Sequence, residues 1–180
     1  MGKGVNFSSP LRVDGVTVVD ESGNITGPIS ATAGSIGSTE LADNTIQTAT
    51  VTLTAAEIVG TSAGDIGHAS GAVLVAAPGA GKILEFVSAV LSYDYATAAY
   101  TGGNNDLVIR QGTTAVSAAI ADADLIGDSA DDIAYVNALS AADIKLTANS
   151  TINLAGTAYT NPGTAAGTLK VHVMYRVHSA

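Results

Sequence analysis

Nothing constrains this chain more than the stretch from Pro78 to Tyr95. A turn, Pro78-Gly79-Ala80-Gly81-Lys82, runs directly into Ile83-Leu84-Glu85-Phe86-Val87-Ser88-Ala89-Val90-Leu91-Ser92-Tyr93-Asp94-Tyr95. β-branched and aromatic residues bounded by turn residues predict one long strand. Strict alternation puts Ile83, Glu85, Val87, Ala89, Leu91 and Tyr93 on one face and Leu84, Phe86, Ser88, Val90 and Ser92 on the other. Both faces are then largely apolar. Such a strand is covered on both sides, by a second sheet together with either a loop or another subunit.

Shorter pieces repeat the theme. Strands are expected at Thr48–Leu53, within Ser70–Ala77, and at Asp106–Gly112, Ile133–Val136, Ile144–Thr147 and Thr151–Leu154. The last three follow one another at about ten residues, the rhythm of a sandwich. The cleanest alternation closes the chain, with Leu169, Val171, Val173, Tyr175 and Val177 on one face and Lys170, His172, Met174, Arg176 and His178 on the other. Thr54-Ala55-Ala56-Glu57 matches a capping box, with Thr54 as N-cap of a short helix. Ala115–Ile126 is ambiguous, since Val116, Ile120 and Ala123 have helical spacing. The expected fold is all-β: an antiparallel β-sandwich or jelly-roll-like domain over residues 47–180, preceded by an extended N-terminal arm over 1–46.

The arm reads differently from the body. Phe7 is its only aromatic residue, and Pro10, Gly15, Gly23, Gly27-Pro28, Gly34 and Gly37 interrupt every apolar run. Leu11–Val19 reads as a strand, Asp20–Asn24 as a turn and Ile25-Thr26 as a short return, with one helical turn possible at Ser38–Asp43. Phe7, Leu11, Val13, Val16, Val18, Val19 and Ile25 carry too much apolar surface for an idle tail and too little for a core of their own. They are the expected attachment residues, because an extended strand can add to a partner's sheet edge.

Charge removes several functions. The net charge is -9, with Lys+Arg 7 against Asp+Glu 16, and no basic residue stands between Val13 and Gly81. Nucleic acid needs a basic stripe to displace phosphate counterions, so it is not an expected partner. Cys 0 removes disulfides, thiolate metal sites and thiol catalysis. No apolar run reaches a membrane span, and Met1-Gly2-Lys3-Gly4-Val5 is no signal peptide, so synthesis in a cytoplasm is expected.

Several strings resemble a module of structural virion proteins of tailed bacteriophages. They are Leu53-Thr54-Ala55-Ala56-Glu57-Ile58, Ala76–Lys82, Tyr93-Asp94-Tyr95 with Ala98-Ala99-Tyr100, Asn105-Asp106-Leu107, and Thr168–Val171 ending in Tyr175-Arg176-Val177. The resemblance covers roughly Thr50 to Val177. Val13–Asp20 with Ser22–Thr26 also looks like attachment segments of phage fibre and decoration proteins. The resemblance implies an all-β domain, usually trimeric, exposed on a capsid or a fibre.

Chemistry weighs little beside this. Gly79-Ala80-Gly81-Lys82 imitates a phosphate loop, but Ala76 and Ile83 stand where glycine and Ser or Thr are required, and the loop leads into a strand. Asp122, Asp124, Asp128, Asp131 and Asp132 imitate a calcium loop, yet Ile126 and Ile133 occupy ligand positions, so a solvated acidic loop is the plainer reading. His172 and His178 share a face about 20 Å apart, too far for one metal. No cofactor and no enzymatic activity are expected.

Three classes are therefore ordered. A capsid decoration (cement) protein leads: a homotrimer on the capsid exterior that binds the major capsid protein through the arm, its interface drawing on Phe86, Val90 and Met174. A tail- or head-fibre module follows, with Tyr93, Tyr95, Tyr100 and Tyr159 as a stacking surface for a host-cell glycan. A glycan hydrolase comes last, lacking tryptophan and paired carboxylates in a cleft.

Overall fold

The computed structural model describes residues 11–13, 16–19, 43–102, 106–140, 144–157, 159–160 and 167–180. The chain divides into two compact units, Met1–Leu41 and Ala42–Ala180. In the first, β1 (Leu11–Val13) pairs antiparallel with β2 (Val16–Val19), and Val13 lies opposite Val16. The single strand expected over Leu11–Val19 is therefore a hairpin. Its signal was the Asp14-Gly15 dipeptide, the commonest kind of two-residue hairpin connection. Phe7, Ile25 and most of the segment expected to form a helical turn lie outside the described residues.

The second unit is an antiparallel β-sandwich. One sheet has the order β3 (Gln47–Leu53), β10 (Thr168–Ser179), β5 (Lys82–Asp94), β8 (Asp132–Asn137). The other has the order β4 (Ala72–Val75), β9 (Ile152–Ala155), β6 (Val108–Gln111), β7 (Thr114–Ala115). A one-turn helix, α1 (Ala55–Val59), follows β3, and the main-chain N–H of Thr54 donates to Glu57 Oε2 at 2.8 Å, as a capping box requires. The core lies between the sheets. Leu91, Val171, Val173 and Leu169 of the first sheet and Ile109, Ile152 and Leu154 of the second are fully buried.

Two expected elements take another form. Ala115–Ile126 is mostly extended, with bridges from Leu107 to Ile120 and from Ser117 to Ala138, and closes in a short 3-10 turn at Asp122–Asp124. Ile144–Thr147 is not a strand. Gln111, fully buried, holds it: the Gln111 amide donates to Thr147 O at 2.5 Å and accepts from Thr147 N at 2.9 Å. A side-chain amide thus satisfies backbone groups that a ladder would otherwise use.

The long strand breaks its own alternation. Along β10 the pairing runs Val173 to Ala89 and Met174 to Ser88, then jumps from Tyr175 to Phe86, so Val87 is an extra residue in a β-bulge. The inward set is Leu84 and Phe86 before the bulge and Ala89, Leu91 and Tyr93 after it, all 3% exposed or less. The outward set is Ile83, Glu85, Val87, Val90 and Ser92, each half-buried. The apolar residues that strict alternation spread over two faces are thus largely gathered on one. Phe86 is a core residue for the same reason and is not available to a subunit interface.

A test follows from the bulge. Deleting Val87 leaves Leu84, Phe86, Ala89, Leu91 and Tyr93 in uninterrupted alternation, opposite the β10 partners they already have. The loss is the bond from Ala138 N to Val87 O, 3.1 Å long. This deletion in a central strand is expected to cost no more than about 1–2 kcal/mol. Thermal denaturation checks it, and loss of the cooperative transition would show that the bulge is needed for the fold.

Candidate interaction surface

The outer face of the β3-β10-β5-β8 sheet collects the side chains that the core excludes. Register puts Thr52, Lys170, Ser92 and Ile133 in one row and Thr50, His172, Val90 and Tyr135 in the next. The two halves of the face differ in character. On the β10 side stand Lys170, His172, Arg176 and His178. Glu85 Oε2 accepts from His178 Nε2 at 2.7 Å and lies 3.5 Å from the Arg176 guanidinium, while His172 Nδ1 lies 2.9 Å from Thr50 Oγ1. On the β8 side Ile133 is 68% and Tyr135 62% exposed, the largest exposures among the described large apolar residues.

Edge position explains that exposure. β8 pairs only with β5 among the strands, and the register that sets Ala134 against Leu91 and Val136 against Ala89 turns the smaller pair inward. Ile133 and Tyr135 must then point out. A groove of about 600 Å³ lies beside this edge, lined among others by Ala118, Ala119, Ala121, Ile133, Tyr135 and Leu139. A second of similar volume joins Asp94, Asp131 and Asp132 to Ser92 and Lys170. Sequence reading recognised the strand but not this surface; its signal was that the larger pair, Ile133 and Tyr135, shares one face of a short strand.

The sequence-derived residues separate. Val90 and Met174 lie on this outer face, both half-buried, whereas Phe86 faces the core. Leu11 and Val13 belong to β1, and Val16, Val18 and Val19 to β2. The loop at Pro78–Lys82 is a turn: Gly79 has φ +100° and Gly81 φ +71°, Gly79 N donates to Asn149 Oδ1 at 3.1 Å, and Lys82 Nζ lies 3.6 Å from Asp43. Asp43, which also accepts from the Ser179 hydroxyl, is held below the usual carboxylate range by that bond and then by Lys82. In the acidic loop, Asp122, Asp128 and Asp132 each accept from the next residue's N–H, and Asp131 accepts from Tyr95 N at 2.9 Å. Among the described residues no three His, Cys, Asp or Glu side chains converge to hold a metal, and no helix is long and apolar enough to cross a membrane.

Three of the four tyrosines expected at a glycan platform are in the core: Tyr93, Tyr100 and Tyr159 are 1%, 2% and 4% exposed. Tyr93 packs edge-on to Tyr95 and tilted against Tyr100, and the Tyr100 hydroxyl donates to Gly167 O at 2.6 Å. Burying a tyrosine supplies a large apolar area with one polar atom to satisfy, which this small-residue core uses. Burial pushes Tyr100 up to about 12, with Tyr93 adding to the shift. Burial also raises Tyr159, helped by Asp122 and Asp106, and raises Tyr93 and Tyr175. Unfolded tyrosines ionise near pH 10 while these stay neutral, so their contribution to stability is intact below about pH 10 and is lost as pH rises through the folded values. Denaturant unfolding at pH 8 and pH 11 should show a markedly lower midpoint at pH 11; equal midpoints would refute this.

The described body is an all-β, two-sheet sandwich with a charged and apolar outer face. No family model matches the chain, and no curated protein matches it. Among solved structures it is similar to a chain of the "Cyanophage Pam1 capsid asymmetric unit", at 20% identity over 84% of this chain and 94% of that one. The TM-score is 0.38.

Proposed function

We propose that this chain is a structural virion protein of a tailed bacteriophage, a decoration protein that binds the outside of the capsid as a homotrimer. The N-terminal arm, ending at Leu41 where the second compact unit begins, fastens it to the major capsid protein, and neither nucleic acid nor membrane is a partner. The observation that carries the reading is a sandwich whose largest exposed apolar side chains among the described residues, Ile133 and Tyr135, stand together on an edge strand beside an open groove. The resemblance over Thr50 to Val177 supports it. The fibre alternative needed a surface of stacking aromatics, and only Tyr95 of its four tyrosines is outside the core.

Two measurements test the proposal. Density for the protein on the heads of purified virions is expected, and density confined to tail tips would overturn it. Light scattering on the purified protein should give about three times the 17.8 kDa of one chain. Symmetric assembly is a common way for a domain of this size to bury exposed apolar surface; the mass of one chain would refute the trimer.

A further inference from the structure

We infer that the open edge of β8 is a docking site for an extended strand of the shell protein, apolar on alternate residues and basic at one end; this rests on the decoration reading, which makes the shell the source of that strand. The direction of the main-chain groups along β8 carries it. Ala138 N donates to Val87 O of β5 at 3.1 Å, whereas Leu139 N donates to Val116 O on the other side at 2.8 Å. Main-chain groups of successive strand residues point to opposite edges. Ala134 and Val136 therefore bond to β5, while Tyr135 turns its N–H and C=O, and Ile133 its C=O, away from the sheet. The Ile133 N–H is already taken by Asp132 Oδ1 at 2.6 Å.

This edge is closed at one end, where the bridge from Ser117 to Ala138 ties β8 to a neighbouring segment. Beside it lies the groove that Ala118, Ala119, Ala121, Ile133 and Tyr135 help to line. A strand laid in that groove would bond to the Tyr135 main chain. Its alternate side chains would cover those of Ile133 and Tyr135, which are now exposed. Charge selects the occupant. Asp124 is the one charged residue among the described groove lining, and no cation stands there to answer it. A second copy brings a net charge of -9 and is repelled, whereas a strand with a Lys or Arg at its end pairs with Asp124. Few main-chain bonds are on offer along so short an edge, so this contact adds to the attachment made by the arm.

Hydrogen exchange on the full-length protein, free and bound to undecorated shells, tests this without any variant. In the free protein the Tyr135 amide should exchange fast while those of Ala134 and Val136 are protected, and on shells the Tyr135 amide should slow by about tenfold or more. A Tyr135 amide already protected in the free protein, or unchanged on shells, overturns the inference. Tyr135→Pro removes a donor that faces away from β5, a change that edge strands tolerate, and should weaken shell binding by about tenfold or more, with circular dichroism confirming the fold. Tyr135→Ala keeps the donor and should lose less. Asp124→Lys should also weaken binding by about tenfold. A folded Tyr135→Pro protein with the occupancy of the wild type overturns the inference and leaves the decoration reading standing. A wild type that does not bind shells overturns both. A Tyr135→Pro protein whose mass in solution falls would assign the edge to a second copy and overturn the inference as well.

Discussion

Gly167→Ala is expected to lower the melting temperature by about 10 °C, corresponding to about 3 kcal/mol for a domain of this size. A Cβ at Gly167 would lie 2.0 Å from the main-chain oxygen of Asp94 and 2.9 Å from the Tyr93 ring. Gly167 stands where β10 begins beside the end of β5, and its own carbonyl accepts the Tyr100 hydroxyl. The chain cannot retreat there without opening the pairing of Thr168 with Asp94 or losing that bond. Gly79→Ala is the control. Its φ of +100° penalises a side chain, but nothing lies within 4 Å of the added carbon, so the cost should be confined to about 1–2 kcal/mol of backbone strain. Calorimetry on the two variants separates the effects, and a Gly167→Ala protein as stable as Gly79→Ala would show that the two strands part easily.

On the proposed trimeric decoration reading, removing the arm should reduce binding to undecorated shells at least 100-fold, since three arms on one assembly would act at high effective concentration. The cut belongs after Leu41. Asp43 pairs with Lys82 and accepts from Ser179, and Asn44 N donates to Val177 O at 2.8 Å, so these residues belong to the sandwich although the sequence placed them in the arm. Among the described strands β1 and β2 pair only with each other, and an unpaired strand edge can add main-chain hydrogen bonds to a partner's sheet. In the full-length chain Val16→Pro, which removes a strand donor, should weaken shell binding without changing the mass measured in solution. Occupancy by residues 42–180 equal to that of the intact protein would overturn the arm assignment and move attachment to the body.

Much of this fold was legible in the residues. Alternation at Leu169–His178 survives intact in β10 because the extra residue of the bulge lies on β5, so every residue of β10 keeps one partner there and a period of two reports burial directly. The capping pair Thr54 and Glu57 was equally readable, being a local interaction three residues long. What failed were inferences that depend on partners distant in sequence. The bulge at Val87 shows only in the register against Tyr175 and Met174, and one extra residue moves Phe86 from a supposed subunit face into the core. The exposure of Ile133 and Tyr135 follows from the register of β8 against β5, which turns Ala134 and Val136 inward and which residue size alone would have reversed. Ile144–Thr147 has strand-like residues, but the backbone N–H and C=O of Thr147 are bound by the side-chain amide of Gln111 and not by a neighbouring strand. Sequence thus determined where this chain is extended and which strand lies at its centre, since both follow from residue type and local period. Tertiary structure decided which face of β5 and of β8 is inside, because there the inward set depends on a bulge seen only in the register and on which sheet the strand joins.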